Sequence, residues 1–375
     1  MIVLIRGQAV DPGHPAGMLF IGQNQGQIVP AASLAFRILA PDGTQYFPGS
    51  GTQTVDLTND VVVTDPNGAA GVYVARWTVP SMAPVGRYAI EWTYELTTPA
   101  SATFTSVQTE PSPSGVALQF FDIIATGVIP PIPLYALPSD VREDLGCTPE
   151  NVSDARLLKI IGLAGLMVER MTGRVFEPRA KFVRLGGNSS RHLQLGEPIV
   201  AVSSVGIDTQ PTQNGDLVID LDLIRIYNRH LSQGLIQPDD RNDPQLEFVH
   251  SDDLYGVRFI PFRGISLRSL AWPVGVQNVH VRGFFGYTEP DGTPWGATPL
   301  LLQHAIKLIV ARELPKIGSK DAREDAQWRW RVTTDKAKDI EVDLVAPRKW
   351  GEFFGDPELD SILISFIRPP SFGSA

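Results

Sequence analysis

Apolar and polar side chains alternate in two segments near the amino terminus, and this period of two residues predicts strands with one buried face. The first segment runs from Gly71 to Pro80 and the second from Gly86 to Tyr94. Each segment begins with a glycine, and the proline closes the first one. The side chains that share the predicted inner faces are Tyr73, Ala75, Trp77, Val79, Tyr88, Ile90, Trp92 and Tyr94.

Turn signals separate further strands in the same region. Residues 41–43 (Pro-Asp-Gly) and 65–68 (Asp-Pro-Asn-Gly) combine proline, which presets φ, with residues that accept a positive φ. Short strands at this spacing are typical of a sandwich, and the Cys…Trp…Cys pattern of antibody domains is lacking. We therefore expect an immunoglobulin-like sandwich over residues 1–110. Its other strands are expected at Ile2–Ile5, Leu34–Leu39, Val61–Thr64 and Thr103–Thr109.

The periodicity becomes helical after residue 138. Residues 140–143 (Asp-Val-Arg-Glu) have capping-box spacing and predict a short helix that ends at Gly146. A longer helix is expected over residues 153–172. Its apolar residues occupy more than one side, which predicts burial on more than one side, and Gly162 and Gly165 permit a close backbone approach. Leu157, Ile160, Ile161, Ala164, Val168 and Met171 form the main stripe, with Leu158, Leu163, Leu166 and Met167 outside it.

Strands return over residues 180–290, and two more helices follow them. Thr298 and Pro299 suit the N-cap and first position of a helix that Pro315 ends. In the tail, Asp356 suits the N-cap of a last helix. The apolar tail residues fit a helix at Leu359, Ile362, Leu363 and Phe366, and a strand nearly as well at Ile362, Ile364 and Phe366.

These patterns predict a multidomain fold: an all-β immunoglobulin-like sandwich, then an α+β domain in which a helical bundle carries a β-rich insertion. Glycine and proline together occupy 65 positions (34 and 31), which suits many turns. The expected divisions are a sandwich at 1–110, a Pro-rich linker at 111–138, an α+β domain at 139–325 (helices at 139–173 and 298–315, β insertion at 180–290) and a C-terminal arm at 326–375.

Composition narrows the classes of function. The net charge is −9, from 32 basic and 41 acidic residues, so the chain as a whole lacks the basic surface that strong nucleic-acid binding needs. Cys147 is the only cysteine, which excludes an intrachain disulfide and a cysteine metal cluster. The amino-terminal apolar run is too short for a signal peptide, and no run of about 18 apolar residues occurs. We expect a soluble protein that is not secreted by the usual route.

Few residues in the sequence point to catalysis. The six histidines lack metal-binding spacing, and phosphate-binding, dinucleotide-binding and G-x-S-x-G motifs are missing. Aspartate clusters at 239–243 and 251–253 could hold calcium, but they match no EF-hand and are better explained as solvated loop acids. Asp216, Asp220 and Asp222 have the spacing of one strand face. We expect no enzyme, no cofactor and no metal site.

The segment from Lys316 to Lys349 mixes nine basic with seven acidic residues. Trp328 and Trp330 lie within it beside arginines. Aromatic and basic residues together can mark a nucleic-acid surface. We favour the alternative interpretation, a charged segment whose aromatics contact another protein.

Three short motifs follow one another around the predicted helices. Residues 169–176 read Glu-Arg-Met-Thr-Gly-Arg-Val-Phe and end the long helix, and residues 198–205 read Pro-Ile-Val-Ala-Val-Ser-Ser-Val. Residues 283–287 read Gly-Phe-Phe-Gly-Tyr and precede a proline-containing loop and the late helix. In this order, over residues 138–315, the sequence resembles the head–tail connector (adaptor, or head-completion) proteins of tailed bacteriophages.

The resemblance implies a scaffold at the virion neck. Members of this family form rings, usually of twelve subunits, under the portal; they extend the DNA channel, and DNA passes through the lumen without specific binding. The implied partners are other copies of the chain, the portal and a tail or stopper protein, with assembly in the host cytoplasm and no membrane contact. A C-terminal arm commonly reaches the portal. The candidate portal and ring contacts here are Leu359, Ile362, Leu363, Phe366, Arg368, Gly162, Gly165, Leu166, Trp328 and Trp330.

The chain departs from the simple family pattern in its long insertion and its additional N-terminal sandwich, which leaves open the surfaces that meet the tail. Two other functions remain open as well. A host-binding or carbohydrate-binding virion protein would present Tyr73, Trp77, Trp92 and Tyr94 to a ligand, although their alternation on one face favours burial. A hydrolase would use the aspartate clusters.

Overall fold

The computed structural model of the chain describes residues 2–10, 18–24, 27–62, 71–97, 114–125, 134–148, 150–208, 217–227, 241–248, 271–291, 293–314, 332–336, 341–344 and 356–367. Within these residues strands predominate and four α-helices occur, so the architecture is mixed α+β with several sheets. The buried apolar side chains form three clusters. One lies in the N-terminal sheets, one among the helices and one in the second large sheet.

The N-terminal unit is made of short strands around three long ones. They are β1 (Ile2–Ile5), β2 (Ala9–Val10), β3 (Leu19–Ile21), β4 (Gln23–Asn24), β5 (Gln27–Ile28), β6 (Ala31–Leu39), β7 (Gln45–Phe47), β8 (Gln53–Thr54), β9 (Val72–Val74), β10 (Trp77–Thr78), β11 (Gly86–Leu96) and β12 (Ser114–Ile124). The main sheet has the order β1-β12-β11-β6-β7, with β8 also paired to β6. β1 runs parallel to β12, whereas the other neighbours are antiparallel.

The strands predicted at Ile2–Ile5 and Leu34–Leu39 are confirmed. In the segment predicted at 61–64, Val61 forms only an isolated bridge to Tyr73, and residues 63 and 64 lie outside the described residues. The alternating segment at 86–94 lies within β11, and the segment at 71–80 forms two short strands instead of one continuous strand. The expectation at 103–109 lies outside the described residues. The immunoglobulin-like arrangement stays a prediction. The predicted inner-face aromatics are buried, with exposed fractions of 1%, 5%, 0% and 4% for Tyr73, Trp77, Trp92 and Tyr94.

The predicted linker at 111–138 is wrong over residues 114–124, which form β12 in the middle of the sheet. β12 pairs with β11 from Ser114 to Ile123, and its end pairs with β1. Prolines on both sides of this segment are typical of a linker, and for that reason the strand was not predicted. Its alternate residues Ala117, Phe121 and Ile123 are buried in the N-terminal core, which explains why the segment pairs within the sheet.

Four helices within the described residues share one core. They are α1 (Pro138–Leu145), α2 (Asp154–Thr172), α3 (Leu300–Glu313) and α4 (Pro357–Phe366). α3 and α4 both pack against α2. The Ser153 hydroxyl accepts a hydrogen bond from the Arg156 amide and so caps the first turn of α2. Gly173 ends α2 with a φ of 66°, the left-handed conformation that glycine adopts without strain.

Two helix starts differ from the predictions. α1 begins at Pro138, whose fixed φ suits a first helical position, so residues 140–143 lie inside the helix and form no capping box. α3 begins at Leu300 because Pro299 has an extended ψ of 135°. The tail adopts the helical alternative. Asp356 accepts a hydrogen bond from the Glu358 amide at 3.0 Å, as predicted for its N-cap.

The second large sheet combines strands from both halves of the chain. The remaining described strands of the chain are β13 (Arg179–Leu185), β14 (His192–Gln194), β15 (Ile199–Ile207), β16 (Leu217–Ile219), β17 (Ile224–Ile226), β18 (Gln245–Phe248), β19 (Val279–Phe285), β20 (Val332–Lys336) and β21 (Glu341–Leu344). The order of the second large sheet is β13-β19-β15-β5-β4, with β16 on β15. β14-β18-β17 form a separate sheet, and β20 pairs with β21.

The predicted strand face with three aspartates is wrong. Residues 221–223 form a short 3₁₀ helix between β16 and β17, so Asp220 and Asp222 do not alternate along a strand. Asp216 and the clusters at 251–253 and at residues 239 and 240 lie outside the described residues. The aspartates thus provide no described carboxylate pair on a strand.

Candidate interface site

The three sequence motifs meet at one junction between the helices and the second sheet. Gly173 turns the chain out of α2, and the Val175 carbonyl then accepts a hydrogen bond from the Tyr287 amide at 2.7 Å. The Gly286 amide donates to the Pro198 carbonyl at 2.9 Å. One residue from each motif is therefore held by backbone hydrogen bonds to another motif.

Two glycines of the last motif permit the close approach at this junction. A Cβ atom on Gly283 would lie 2.2 Å from the carbonyl oxygen of Ala201, and one on Gly286 would lie 2.4 Å from the carbonyl oxygen of Glu177. Real Cβ atoms do not approach backbone oxygens so closely, so a side chain at either position requires the backbone to move.

Aromatic side chains fill the junction from four segments. The ring of Phe176 contacts the rings of Tyr135, Tyr287 and Phe366 with centroid distances of 5.7, 6.0 and 5.5 Å, all in edge-to-face geometry. This geometry is a favourable one for aromatic pairs. The segment before α1, the end of α2, the end of β19 and the end of α4 are thus joined in one core.

Two buried arginines flank Tyr287. The guanidinium carbon of Arg174 lies 4.5 Å from the ring centroid and that of Arg241 lies 4.2 Å from it. Both side chains hydrogen bond as well: Arg241 donates to the Thr288 carbonyl at 2.9 Å, and Arg174 donates to Asn242 Oδ1 at 3.0 Å. Sequence reasoning noticed the motif arginine but missed Arg241, because nothing in the sequence relates it to Tyr287.

A second polar network fastens the end of α2 to β13. The Tyr135 hydroxyl donates to Glu169 and accepts from the Phe176 amide at 3.2 Å. Arg179 bridges the carboxylates of Glu169 and Glu177 at 2.6 and 2.9 Å. Burial raises the pKa of Tyr135 far above its ordinary value, so the hydroxyl stays protonated as a donor. These groups rigidify the junction.

The apolar residues of α4 lie mostly inside the chain. Leu359 and Leu363 are fully buried and Phe366 is 5% exposed, while Ile362 packs partly buried against the same helical core. These side chains therefore contact the chain's own α2 and α3, although the sequence suggested them as portal contacts. Ile364, 50% exposed, faces outward on α4. Arg368 lies outside the described residues. The portal role of this segment stays a prediction.

The α2 residues proposed as ring contacts divide between core and surface. Gly162 and Gly165 are buried, Leu166 is half-buried, and Leu163 and Met167 are exposed at 48% and 39%. A shallow apolar groove of about 300 Å³ runs between α2 and α3 here. Its lining is Ile160, Leu163, Ala164, Leu166, Met167, Arg170, Ile309 and Glu313. Trp328 and Trp330 lie outside the described residues.

A polar hollow of about 570 Å³ opens on the N-terminal unit near Asp56, Asn59, Asp60 and Arg76. Asp60 pairs with Arg76 at 2.7 Å and also accepts from the Asp56 amide at 3.0 Å. Hydrogen bonds from Asn59 and the Thr58 amide lower the pKa of Asp56.

Among the residues that the structure describes, no group of three or more possible metal ligands occurs. No described helix has the length and apolarity of a membrane span.

Comparison with solved structures finds distant similarity. No family model matches the sequence, and no curated protein matches it. A chain in the neck of an empty GTA particle, a structure computed with C6 symmetry, aligns with a TM-score of 0.31 and 19% identity. The alignment covers 51% of this chain and 85% of that chain.

Proposed function

We propose that the chain is a structural subunit of a bacteriophage head–tail connector. In this role copies of the chain form a ring, which docks on the portal, extends the DNA channel and joins the head to the tail. The observation that carries the proposal is the junction, where the three motifs that resemble the connector family meet. The backbone hydrogen bonds that join the motifs support this proposal, because they place the three motifs at one meeting point of the helices and the sheet.

The side chains of the junction have contacts that suit a structural subunit better than a catalytic site. Its arginines stack on Tyr287 and bond to backbone or amide groups, and Tyr135 is held as a proton donor to Glu169. Stacked and hydrogen-bonded groups of this kind hold elements in fixed positions. A connector needs this rigidity because neighbouring subunits must present the same surface around the ring.

The negative net charge of the chain suits a channel through which DNA passes without binding. Lysine and arginine contacts with phosphates bind DNA strongly, and a net charge of −9 keeps such contacts few. The proposed partners are therefore proteins: other copies of the chain, usually twelve in this family, the portal, and a tail or stopper protein. The proposed location is the virion neck, reached after assembly in the host cytoplasm.

Electron microscopy of the purified protein, alone and mixed with its portal, tests the proposal. We expect rings on their own or rings seated on the portal. A protein that stays monomeric and unbound at micromolar concentrations of both partners would contradict the connector role. Ile364→Glu tests the arm, because it changes an exposed position of α4 and spares the buried ones; loss of portal docking with an unchanged circular dichroism spectrum is expected.

A second candidate function is host or carbohydrate binding. It rests on the polar hollow near Arg76 and not on the four aromatic residues that the sequence suggested. The four aromatics are core residues and do not form a platform. The polar hollow near Arg76 instead offers amide, hydroxyl and guanidinium groups of the kind that bond sugar hydroxyls. Binding of the full-length protein to a glycan array, abolished by Arg76→Ala, would favour this function over the connector role.

A further inference from the structure

One face of β12 continues from an internal interface onto the surface. Asp122 and Ile124 lie on this face and are buried, each 2% exposed, beneath the helical unit. The next residues of the same face are exposed although apolar: Phe120 at 44%, Leu118 at 38% and Val116 at 60%. We call these three the β12 stripe. The described residues thus cover the Asp122 end of this face, whereas its other end is exposed apart from the Arg87 guanidinium, which lies 4.5 Å from the Phe120 ring centroid.

The surface of α2 carries a second exposed stripe. Leu163 and Met167 lie one turn apart beside the groove towards α3. Exposed basic residues extend the same side of the helix at both ends: Arg156 and Lys159 before the apolar pair and Arg170 after it. None of the three forms an ion pair with another described residue. We call these five residues the α2 stripe.

The balance of charge differs beside the two stripes: bases predominate beside the α2 stripe, where Glu313 of α3 is the exposed acid in the groove. On the sheet, Glu95 of β11 lies next to the β12 stripe through its pairing with Ser114, is exposed, and forms no ion pair within the described part of the chain. Glu91, opposite Leu118, already pairs with Arg37 at 2.7 Å. Arg87, on the same face of the sheet, is already paired with Asp140 at 2.6 Å. The sheet surface therefore offers one available acid, Glu95, whereas the helix offers three bases. Two α2 stripes brought together would place like charges side by side, which opposes self-pairing.

The β12 stripe is short enough to lie between Lys159 and Arg170 of the α2 stripe. Lys159 and Arg170 are eleven residues apart on a helix, or about 16 Å at 1.5 Å per residue. Val116 and Phe120 are about 13 Å apart along a strand. A helix can therefore lie along the strand with its apolar centre on the three exposed side chains and its basic residues beyond them.

We propose that the α2 stripe of one copy packs on the β12 stripe of the next copy in a head-to-tail contact, with Lys159 beside Glu95. This contact rests on the proposed function, since it supplies the repeating interface of a ring. Two different surfaces that complement each other give a heterologous interface, which closes into a ring when the rotation permits. The occupant of each stripe is a second copy of this chain.

Cysteine cross-linking tests the contact and its direction. Two single variants, Leu163→Cys and Leu118→Cys, are made in a Cys147→Ala background and oxidised mildly, separately and as an equal mixture. We expect cross-linked dimers only in the mixture. The double variant, with both cysteines in one chain, should give a ladder of higher oligomers. The matched control pairs Leu163→Cys with Met82→Cys, an 87% exposed residue outside both stripes, and should stay uncross-linked.

Each other outcome overturns the contact. Cross-linking of either single variant alone means self-pairing, and a double variant that stops at dimers means a closed two-fold pair. A mixture that cross-links no better than the control, while rings or portal-bound rings are seen, removes this contact but leaves the connector role standing. Absence of any ring, with or without portal, removes both proposals.

A charge exchange gives an independent measurement. Lys159→Glu should weaken association measured by sedimentation several-fold, about the effect expected of a rim charge. Adding Glu95→Lys in the same chain should restore most of it. Val218→Glu, at a 65% exposed position on β16, is the matched control and should leave association unchanged. Equal weakening by Val218→Glu, or no restoration by the double variant, would contradict the proposed pairing.

Discussion

The backbone amide of Ser139 donates a hydrogen bond of 2.7 Å to the carboxylate of Asp122, and the Ser139 hydroxyl donates a second one at 2.8 Å. The pair connects the end of β12 to the first turn of α1. Beside it, Arg87 of β11 binds Asp140 of α1 at 2.6 Å. The N-terminal sheet is thus joined to the helical core by buried polar contacts as well as by apolar packing.

This relationship predicts a pH dependence of stability. Burial raises the pKa of Asp122 from 3.8 to about 6, with the hydrogen bonds from Ser139 opposing the shift. Between about pH 4 and pH 6 the folded state then binds more protons than the unfolded chain. The free energy of unfolding therefore falls as the pH rises through this range, by up to about 3 kcal/mol from this group.

Chemical denaturation of the wild type and of Asp122→Asn between pH 4 and pH 7 measures the effect. The amide keeps an acceptor for Ser139 but does not titrate, so the variant should show a flatter profile. Burial also raises the pKa of Asp140 and Asp291, which act in the same direction and leave a residual slope. Identical profiles for the two proteins would contradict the role of Asp122.

Gly286→Ala should destabilise the junction. The new Cβ would lie 2.4 Å from a backbone oxygen, which only a backbone shift can relieve, so we expect a loss of about 2 kcal/mol or more. Gly49→Ala is the control, because no atom lies within 4 Å of its Cβ position and its φ is not positive. Thermal unfolding of both variants measures the difference, and equal melting temperatures would contradict it.

Leu363→Ala should destabilise the folded chain by about 2–5 kcal/mol, as expected for a leucine that is fully buried. Ile364→Ala on the same helix should cost much less, because that side chain is half exposed. Urea denaturation gives both values. If the two variants unfold alike, α4 is not part of the core, and its apolar stripe becomes available for docking as the sequence first suggested.

Tyr135→Phe should cost about 1–3 kcal/mol, because the buried Phe176 amide loses its acceptor and Glu169 loses a donor. The ring contact with Phe176 is kept in this variant. Arg179→Lys, which keeps the charge beside Glu169 but not the planar two-carboxylate contact, serves as a comparison and should cost less. A neutral Tyr135→Phe variant would show that the hydroxyl network does not stabilise the junction.

The sequence predicted local structure well where side-chain periodicity and caps agree. β11 and α2 follow directly from alternating and helical patterns, and Ser153 and Gly173 limit α2 as expected. β12 was missed because prolines on both sides resemble a linker. The tail patterns supported both helix and strand, and Asp356 as N-cap is the feature that accompanies the helix.

The candidate interface was harder to predict for a physical reason. An apolar stripe has the same sequence pattern whether it packs on its own chain or on a partner, so Leu359 and Leu363 could not be assigned to the core in advance. The exposed Leu163 and Met167 belong to the same helix as buried residues, and only the packing of α3 separates the two groups. Contacts between distant segments, such as Arg241 with Tyr287, have no local signal.

The hairpin of β4 and β5 has a mechanical consequence. β5 leaves the N-terminal unit and lies parallel to β15, with Gln27 opposite Val202, and the Gln27 side chain donates to the Leu221 carbonyl at 3.2 Å. Trp295, which follows β19, in turn packs in the N-terminal core against Phe20. Force applied to either half of the chain is therefore transmitted to the other half through the β5–β15 backbone pairing and the Trp295–Phe20 ring contact. We expect the two halves to resist force together.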